Sequence, residues 1–356
     1  MSEVRFKLAA GTNVGLIRQN NEDNFVVCSD LGTSNWLIPQ ADDFTDLGQY
    51  GVLLVVADGM GGANAGEVAS AIVVETIQNQ FVPEQLEEAV ATDKSIQEFM
   101  KEVVKSADLN ILHHSQNDSN THGMGTTIVM AWILNNKAYI CWCGDSRCYV
   151  LNKRKGLFQL SKDHSYVQEL VDKGELSVEL MHDHPLSNVI TRCLGDVDNR
   201  ANPETRIYQL HNDDIIMLCS DGLCGICHDD KILDVMIDHG EDPIECKNEL
   251  ISAALSAGGY DNVTVALARI QTDEEEIEEE SAEEDNPEDD EKEELLTTIR
   301  CEVRRRSHKL RNFMLFFLLL IIAGGAFIWF TPSCSPLKAQ ITTTVTNIIT
   351  NIKQKI

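Results

Sequence analysis

The stretch VLLVVADGMGGANAGEVAS, residues 52–70, decides how the chain is read. Val52 to Ala57 is a valine-rich run of six apolar residues, the pattern of a short buried strand. It ends in Asp58, and four glycines follow before position 67. From Gly66 onward the apolar spacing becomes helical, with Val68, Ala69, Ile72, Val73 and Ile77 on one side. Asp58 therefore stands at the mouth of a strand-to-helix turn. A carboxylate there must be hydrated, paired or bound to a metal, because burying an unpaired charge is costly. An aspartate that merely caps the turn satisfies the same pattern, so this stretch alone leaves both readings open.

The pattern recurs. AYICWCGDSR delivers Asp145 at the end of an apolar strand, and DIIMLCSDGL delivers Asp221 in the same way, again followed by glycine. GGYDNVTVALARI sets Asp261 just before a strand, with glycines that allow close backbone approach. GLIRQNNEDNF adds Glu22 and Asp23 ahead of a strand at Phe25, with Arg18 upstream. Carboxylates gathered together need a cation: two like charges 4 Å apart repel by roughly 4 kcal/mol at an effective dielectric near 20. Oxygen-only ligands select hard ions such as Mg²⁺ or Mn²⁺. The sequence alone does not bring the four aspartates together in space.

Around them, residues 1–270 alternate strand and helix patterns. Strands are expected near 4–9, 25–28, 52–57, 126–134, 137–143, 148–151, 205–210, 215–219 and 262–270, with a tight hairpin turn at Asn135-Asn136. Helices are expected over 66–80, about 93–115, 229–238 and 244–257, the last with Asp242 as N-cap, Pro243 at its first position and Gly258 beyond its end. Strands fall in hairpin runs with helices grouped between them, which predicts antiparallel sheets covered by helices.

Eight segments in order resemble the metal-dependent type 2C serine/threonine protein phosphatases in their bacterial form. They are GLIRQNNED, VVADGMGG, GMGTT, GDSR, KDHS, NVITRCLG, CSDGL and YDNVT, spread over nearly all of residues 5–270. The resemblance implies an α+β fold: two stacked antiparallel sheets flanked by helices, an α-β-β-α sandwich, with the metal site at one end. It implies two Mn²⁺ or Mg²⁺ ions bridged by Asp58, with the Gly59 carbonyl on one and Asp221 and Asp261 on the other. Asp145, with Asp221, matches a weaker third ion position. Glu22 and Asp23 would orient metal-bound waters, and Arg18 would grip the substrate phosphate while a bridged water attacks phosphorus. Relatives carry a histidine near the first of these glycine turns, but here Met60 and Ala63 stand in those places. The general acid is therefore unassigned, most simply a metal-bound water. Residues of about 165–195 correspond to a mobile flap in the family.

Composition divides the rest of the chain. Net charge is −28, of which residues 273–294 carry −15, with 16 acidic side chains against one lysine. Such a block cannot bury enough apolar surface to fold, which predicts a disordered linker over 271–299. A basic juxtamembrane segment, 300–312, follows with Arg300, Arg304, Arg305, Arg306, Lys309 and Arg311. Then come 18 uncharged apolar residues, 313–330, enough for a helix of about 27 Å. A transmembrane helix over 313–331 is expected, leaving a short Thr-rich tail at 332–356. The positive-inside rule places the catalytic domain in the cytoplasm of a single-pass membrane protein. No secretory signal is visible at the N-terminus, and eleven scattered cysteines form no disulfide-like framework.

Other motifs are weaker. CGICH (224–228) fits a haem-attachment pattern that would require export. Cys141 and Arg147 fit C-x₅-R, but Cys141 falls within an apolar strand. HDHP (182–185) offers two histidines at i and i+2 with no further ligand in the sequence. The expected partners are phosphorylated proteins, substrates of a Ser/Thr kinase, and the membrane; no nucleic-acid partner is expected. The competing reading is a catalytically weak signalling or scaffold protein on the same fold.

Overall fold

The computed structural model describes residues 4–37, 43–61 and 65–272. The expected linker lies outside the described residues except for Gln271 and Thr272, which belong to the last strand because they pair with Arg5 and Val4; the basic segment, membrane span and tail lie outside them too, as does Ala63. Among the described residues no helix is long and apolar enough to cross a membrane.

Two antiparallel sheets stack face to face. One has the order β10 (Gly156–Gln159), β9 (Arg147–Asn152), β12 (Ile215–Cys219), β13 (Val263–Thr272), β1 (Val4–Asn13) and β3 (Thr45–Asp46). The other runs β11 (Glu204–Gln209), β8 (Lys137–Cys143), β7 (Ile128–Leu134), β4 (Val52–Ala57) and β2 (Asn24–Cys28). A small ribbon pairs β5 (Gly59–Met60) with β6 (Gly125–Thr126). Helices α1 (Gly66–Gln80), α2 (Pro83–Ala89) and α3 (Asp93–Asn117) accompany the β4 sheet. On the other side lie α6 (Asp229–His239) and α7 (Pro243–Ser256), while α4 (Tyr166–Asp172) and the one-turn α5 (Asp221–Cys224) border the site.

The continuous apolar strands are explained by burial on both faces. In β4, Val52, Leu54 and Val56 point between the sheets, where they meet Phe6, Leu218, Ala266 and Ile270. Leu53, Val55 and Ala57 point the other way, onto Val73 and Ile77 of α1 and Met100 and Val103 of α3. The same alternation in β12 sends Ile216 and Leu218 between the sheets, and Met217 and Cys219 onto Met236 and Leu250 of α6 and α7. Each valine, leucine, isoleucine, phenylalanine or methionine among them contributes about 1.5–3 kcal/mol by leaving water.

Strands β4, β8 and β12 and helix α1 have the expected bounds. Asn135 takes the left-handed conformation (φ 55°) in the two-residue β7–β8 turn, and Asp242 caps α7 by accepting from the Ile244 and Glu245 amides. Three differences have local causes. The run at 126–134 is broken at Thr127, because Gly125 and Thr126 pair with β5 and not with the sheet. Helices α2, α4 and α5 span only seven, seven and four residues, too short to carry a readable period. Strand β1 continues to Asn13 through Gly11 because β13 pairs with it along its whole length.

Register is what builds the site. Asn24 at the start of β2 pairs with Ala57 at the end of β4, and Val56 pairs with Val129 near the start of β7. Cys219 at the end of β12 pairs with Arg147 at the start of β9 and with Val265 near the start of β13. Every strand end that carries one of the singled-out acidic residues therefore lies at the same end of the sandwich.

Candidate active site

Asp58 follows β4, Asp145 fills the β8–β9 turn, Asp221 opens α5, Asp261 precedes β13 and Asp23 precedes β2. Their carboxylates act on one another. Burial, first of all, and then the charges of Asp221, Asp23 and Asp145 hold the Asp58 carboxyl well above the usual carboxylate range, and it hydrogen-bonds to Asp221. Asp221 is raised by burial and by Asp261, and Asp145 is raised well above its ordinary value by burial, Asp221 and Asp163. Burial lifts Asp23 to about 7, against the pull of two hydroxyl donors. Burial and neighbouring charge hold back the ionisation of Asp23, Asp58, Asp145 and Asp221, and with Asp261 beside them these carboxylates form a cage that a cation relieves.

The backbone around the cage is tied down. The Asp58 carbonyl accepts from the Thr127 amide at 2.9 Å and the Thr126 hydroxyl at 2.8 Å. Gly59 has no room for a side chain: a Cβ there would meet the Gly66 carbonyl at 2.3 Å and the Glu22 carbonyl at 2.4 Å. Asp23 Oδ2 accepts from Ser220 Oγ at 2.7 Å and Thr264 Oγ1 at 2.6 Å. Gly222 crosses Asn262 so closely that a Cβ would come 1.9 Å from its carbonyl, and this contact sets Asp221 beside Asp261.

Arg18 is more than half exposed and donates from Nη2 to Asp261 Oδ2 at 2.8 Å. It is thus the counter-ion of one acidic group, with further N–H groups on an exposed side chain. Glu22 is raised by burial and lies near Arg18, Asp261 and Glu67. Its carboxylate also comes close to Gly66, the first residue of α1.

Several supporting residues had no role assigned from the sequence. Buried Asn262 accepts from the Glu22 amide at 2.7 Å and donates to the Val14 and Asn20 carbonyls at 2.9 and 3.0 Å, fastening the loop that carries Arg18 and Glu22 to β13. Arg147 grips Asp163 with Nε and Nη2, at 2.9 and 2.7 Å, and reaches Tyr149 through Nη1 at 2.7 Å. Both belong to quoted motifs, GDSR and KDHS, but nothing in those two segments says that they touch. Buried His164 accepts from the Gly144 amide at 3.1 Å, steadying the turn before Asp145. A cleft of about 170 Å³ opens beside the carboxylates, lined by Asp145, Asp221 and Asp261 together with Met181, His182 and Asn188.

Competing motifs do not fit this geometry. Cys141 is fully buried in β8, its thiol pushed far up by burial, and Arg147 is occupied by Asp163. Cys224 and Cys227 are buried under α6 and α7. All nine cysteines among the described residues are unpaired.

The model of the family described as protein phosphatase 2C matches residues 37–242, more than half of the chain. The chain belongs to the protein phosphatase 2C family. It is 31% identical over 256 residues to the serine/threonine phosphatase stp of Listeria welshimeri, covering 72% of this chain and 92% of that protein. With the protein phosphatase PhpP of Streptococcus pneumoniae it shares 32% identity over 225 residues, 63% of this chain and 88% of that one. Its fold is similar to the crystal structure of Mycobacterium tuberculosis PstP/Ppp, with a TM-score of 0.61 at 30% identity, covering 75% of this chain and 99% of that chain. A structure of the PstP catalytic domain in complex with two manganese ions gives a TM-score of 0.59 at 29% identity, with the same coverage. This type 2C phosphatase is thus an enzyme of a metal-dependent family, and its oxygen-only acidic cage fits such ions.

Proposed function

We propose that this phosphatase hydrolyses phosphoserine and phosphothreonine in proteins, with its catalytic centre at the acidic end of the sandwich. The observation that carries the reading is the convergence of Asp58, Asp221 and Asp261 beside an exposed arginine, with burial and neighbouring charge holding back the ionisation of Asp58 and Asp221. Asp58, the Gly59 carbonyl, Asp221 and Asp261 would hold the family's Mn²⁺ or Mg²⁺ ions, with Asp145 and Asp221 available to a third. Bound there, such ions supply charge neutralisation at phosphorus and acidify the attacking water.

The chain's own groups do the rest. Arg18 presents its free N–H edge to the phosphoryl oxygens, in charge-assisted hydrogen bonds that fix the ester for in-line attack. Asp261 keeps that guanidinium pointed at the cage. Glu22 and Asp23 accept protons of ordered water at the cage rim, and Ser220 and Thr264 hold the Asp23 carboxyl in one orientation. Met60, whose thioether carries no proton, cannot protonate the leaving alkoxide, so that proton comes from water.

We further infer that the enzyme is tethered to the membrane through residues 313–331, with its catalytic domain cytoplasmic. The run of 18 apolar residues and the basic cluster before it support this reading. The test of the catalytic reading is a chain truncated after Thr272, assayed on phosphopeptides. Turnover should vanish in excess chelator and return with Mn²⁺ or Mg²⁺, and alkylating cysteines should leave it intact. Full activity in chelator overturns the reading.

A further inference from the structure

The two sequence motifs that the active site leaves unused, HDHP and CGICH, meet in space. His182 lies in the turn after the short 3-10 helix Val178–Leu180, and His228 is the residue immediately before α6. Their rings stack with centroids 3.9 Å apart and planes 28° apart. Asp183 completes a trio, its Oδ1 3.4 Å from His182 Nδ1. One potential ligand atom from each of the three lies within 4.8 Å of the other two. His182 Nε2 is buried without a hydrogen-bond partner, a costly state for a ring nitrogen, and the His228 side chain caps no amide of α6.

We propose that His182, Asp183 and His228 form a second, regulatory metal site for an ion of the zinc class. Two imidazoles and one carboxylate suit Zn²⁺ and its neighbours, whereas Mg²⁺ and Ca²⁺ favour all-oxygen sets such as the acidic cage. Three protein ligands with water in the fourth position is an ordinary zinc stoichiometry. The reach is short. A triangle of side 4.8 Å has its centre about 2.8 Å from each corner, against about 2.0–2.1 Å for a zinc–nitrogen bond, so each ligand atom closes in by under an ångström. The rings must turn out of their stacked arrangement so that their lone pairs converge on the ion.

The position gives the site its role. Met181 and His182 line the same cleft as Asp221, Gly222 and Gly225, and His228 follows α5, the turn that begins with Asp221. An ion held by all three ligands clasps residues 181–183 to the start of α6. It thereby fixes the width of the cleft without touching the catalytic carboxylates.

The experiment is a calorimetric zinc titration of the full chain in excess Mg²⁺, which occupies the oxygen-only sites. The wild type should bind one zinc equivalent that His228→Ala and Asp183→Asn bind at least about tenfold more weakly. His228 is exposed and outside the acidic cage, so Mg²⁺-supported turnover of His228→Ala reports that its fold is intact. In parallel, zinc should slow tryptic cleavage after exposed Lys173 in the wild type and not in His228→Ala. Equal zinc affinity and stoichiometry in wild type and variants, or cleavage that zinc slows equally in both, overturns the clasp. Zinc binding is read directly, so its failure leaves the phosphatase reading untouched.

Discussion

Asp58 and Asp221 press on each other, and only a proton or a cation relieves them. Asp58→Asn should therefore have two opposite effects. Metal-supported turnover should fall by several kcal/mol of transition-state stabilisation, about a thousandfold or more. The unfolding midpoint measured in chelator should rise, because one repelling charge is gone. A lowered midpoint there would falsify the mutual strain. Asp23 makes the pH dependence explicit. Its folded value, about 7, lies above the ordinary value of 3.8, so the folded state binds the extra proton. Stability of the metal-free protein should then fall as pH climbs from about 4 through about 7, and Asp23→Asn should flatten that slope. Denaturant titrations in chelator at pH 5, 6, 7 and 8 measure it. Arg18→Ala should chiefly raise KM for a phosphopeptide by roughly ten- to hundredfold, the value of a charge-assisted contact of about 1.5–3 kcal/mol. Collapse of kcat at unchanged KM would assign Arg18 to the transition state instead.

Between elements, the decisive contact is the crossing of α5 over the start of β13. Gly222→Ala puts a methyl group where only 1.9 Å separates its Cβ from the Asn262 carbonyl, so the turn bearing Asp221 must shift away from Asp261. The concentration of Mn²⁺ giving half-maximal activity should rise at least about tenfold, while circular dichroism still reports the native fold. Asn262→Ala acts at the same junction by another route. It removes the partner of the half-buried Glu22 amide and of the Val14 and Asn20 carbonyls, three hydrogen bonds worth about 0.5–1.5 kcal/mol each. Thermal unfolding should show a loss of several kcal/mol, larger than for any exposed residue of the loop that Asn262 fastens.

At the scale of the whole molecule, the two sheets and their helix layers close on themselves within residues 4–272. A chain cut after Thr272 should fold, remain in the supernatant of a membrane preparation and keep its phosphopeptide kcat/KM. The full chain should sediment with membranes and resist extraction by carbonate. With the catalytic domain inside, a tag at residue 356 should be cut by external protease in intact cells. A tag that is protected there and cut in inverted vesicles reverses the orientation.

The residues themselves declare the strands and the points at which acidic groups interrupt them. Val52 to Ala57 reads as doubly buried because it is apolar at every position, and Asp58 marks its end because a charge cannot continue into that interior. The ordered motifs likewise single out the acidic groups and Arg18. Sequence spacing, however, is blind to register. Asp58 and Asp221 lie 163 positions apart, and they meet because antiparallel pairing turns the ends of β4, β8 and β12 and the starts of β2, β9 and β13 to one side. Asn262, Arg147 with Asp163, and His182 with His228 were illegible for the same reason: each works only through a partner that is distant in sequence and brought near by folding. Local propensity writes the elements, and the packing of one sheet on another decides which of their ends share a site.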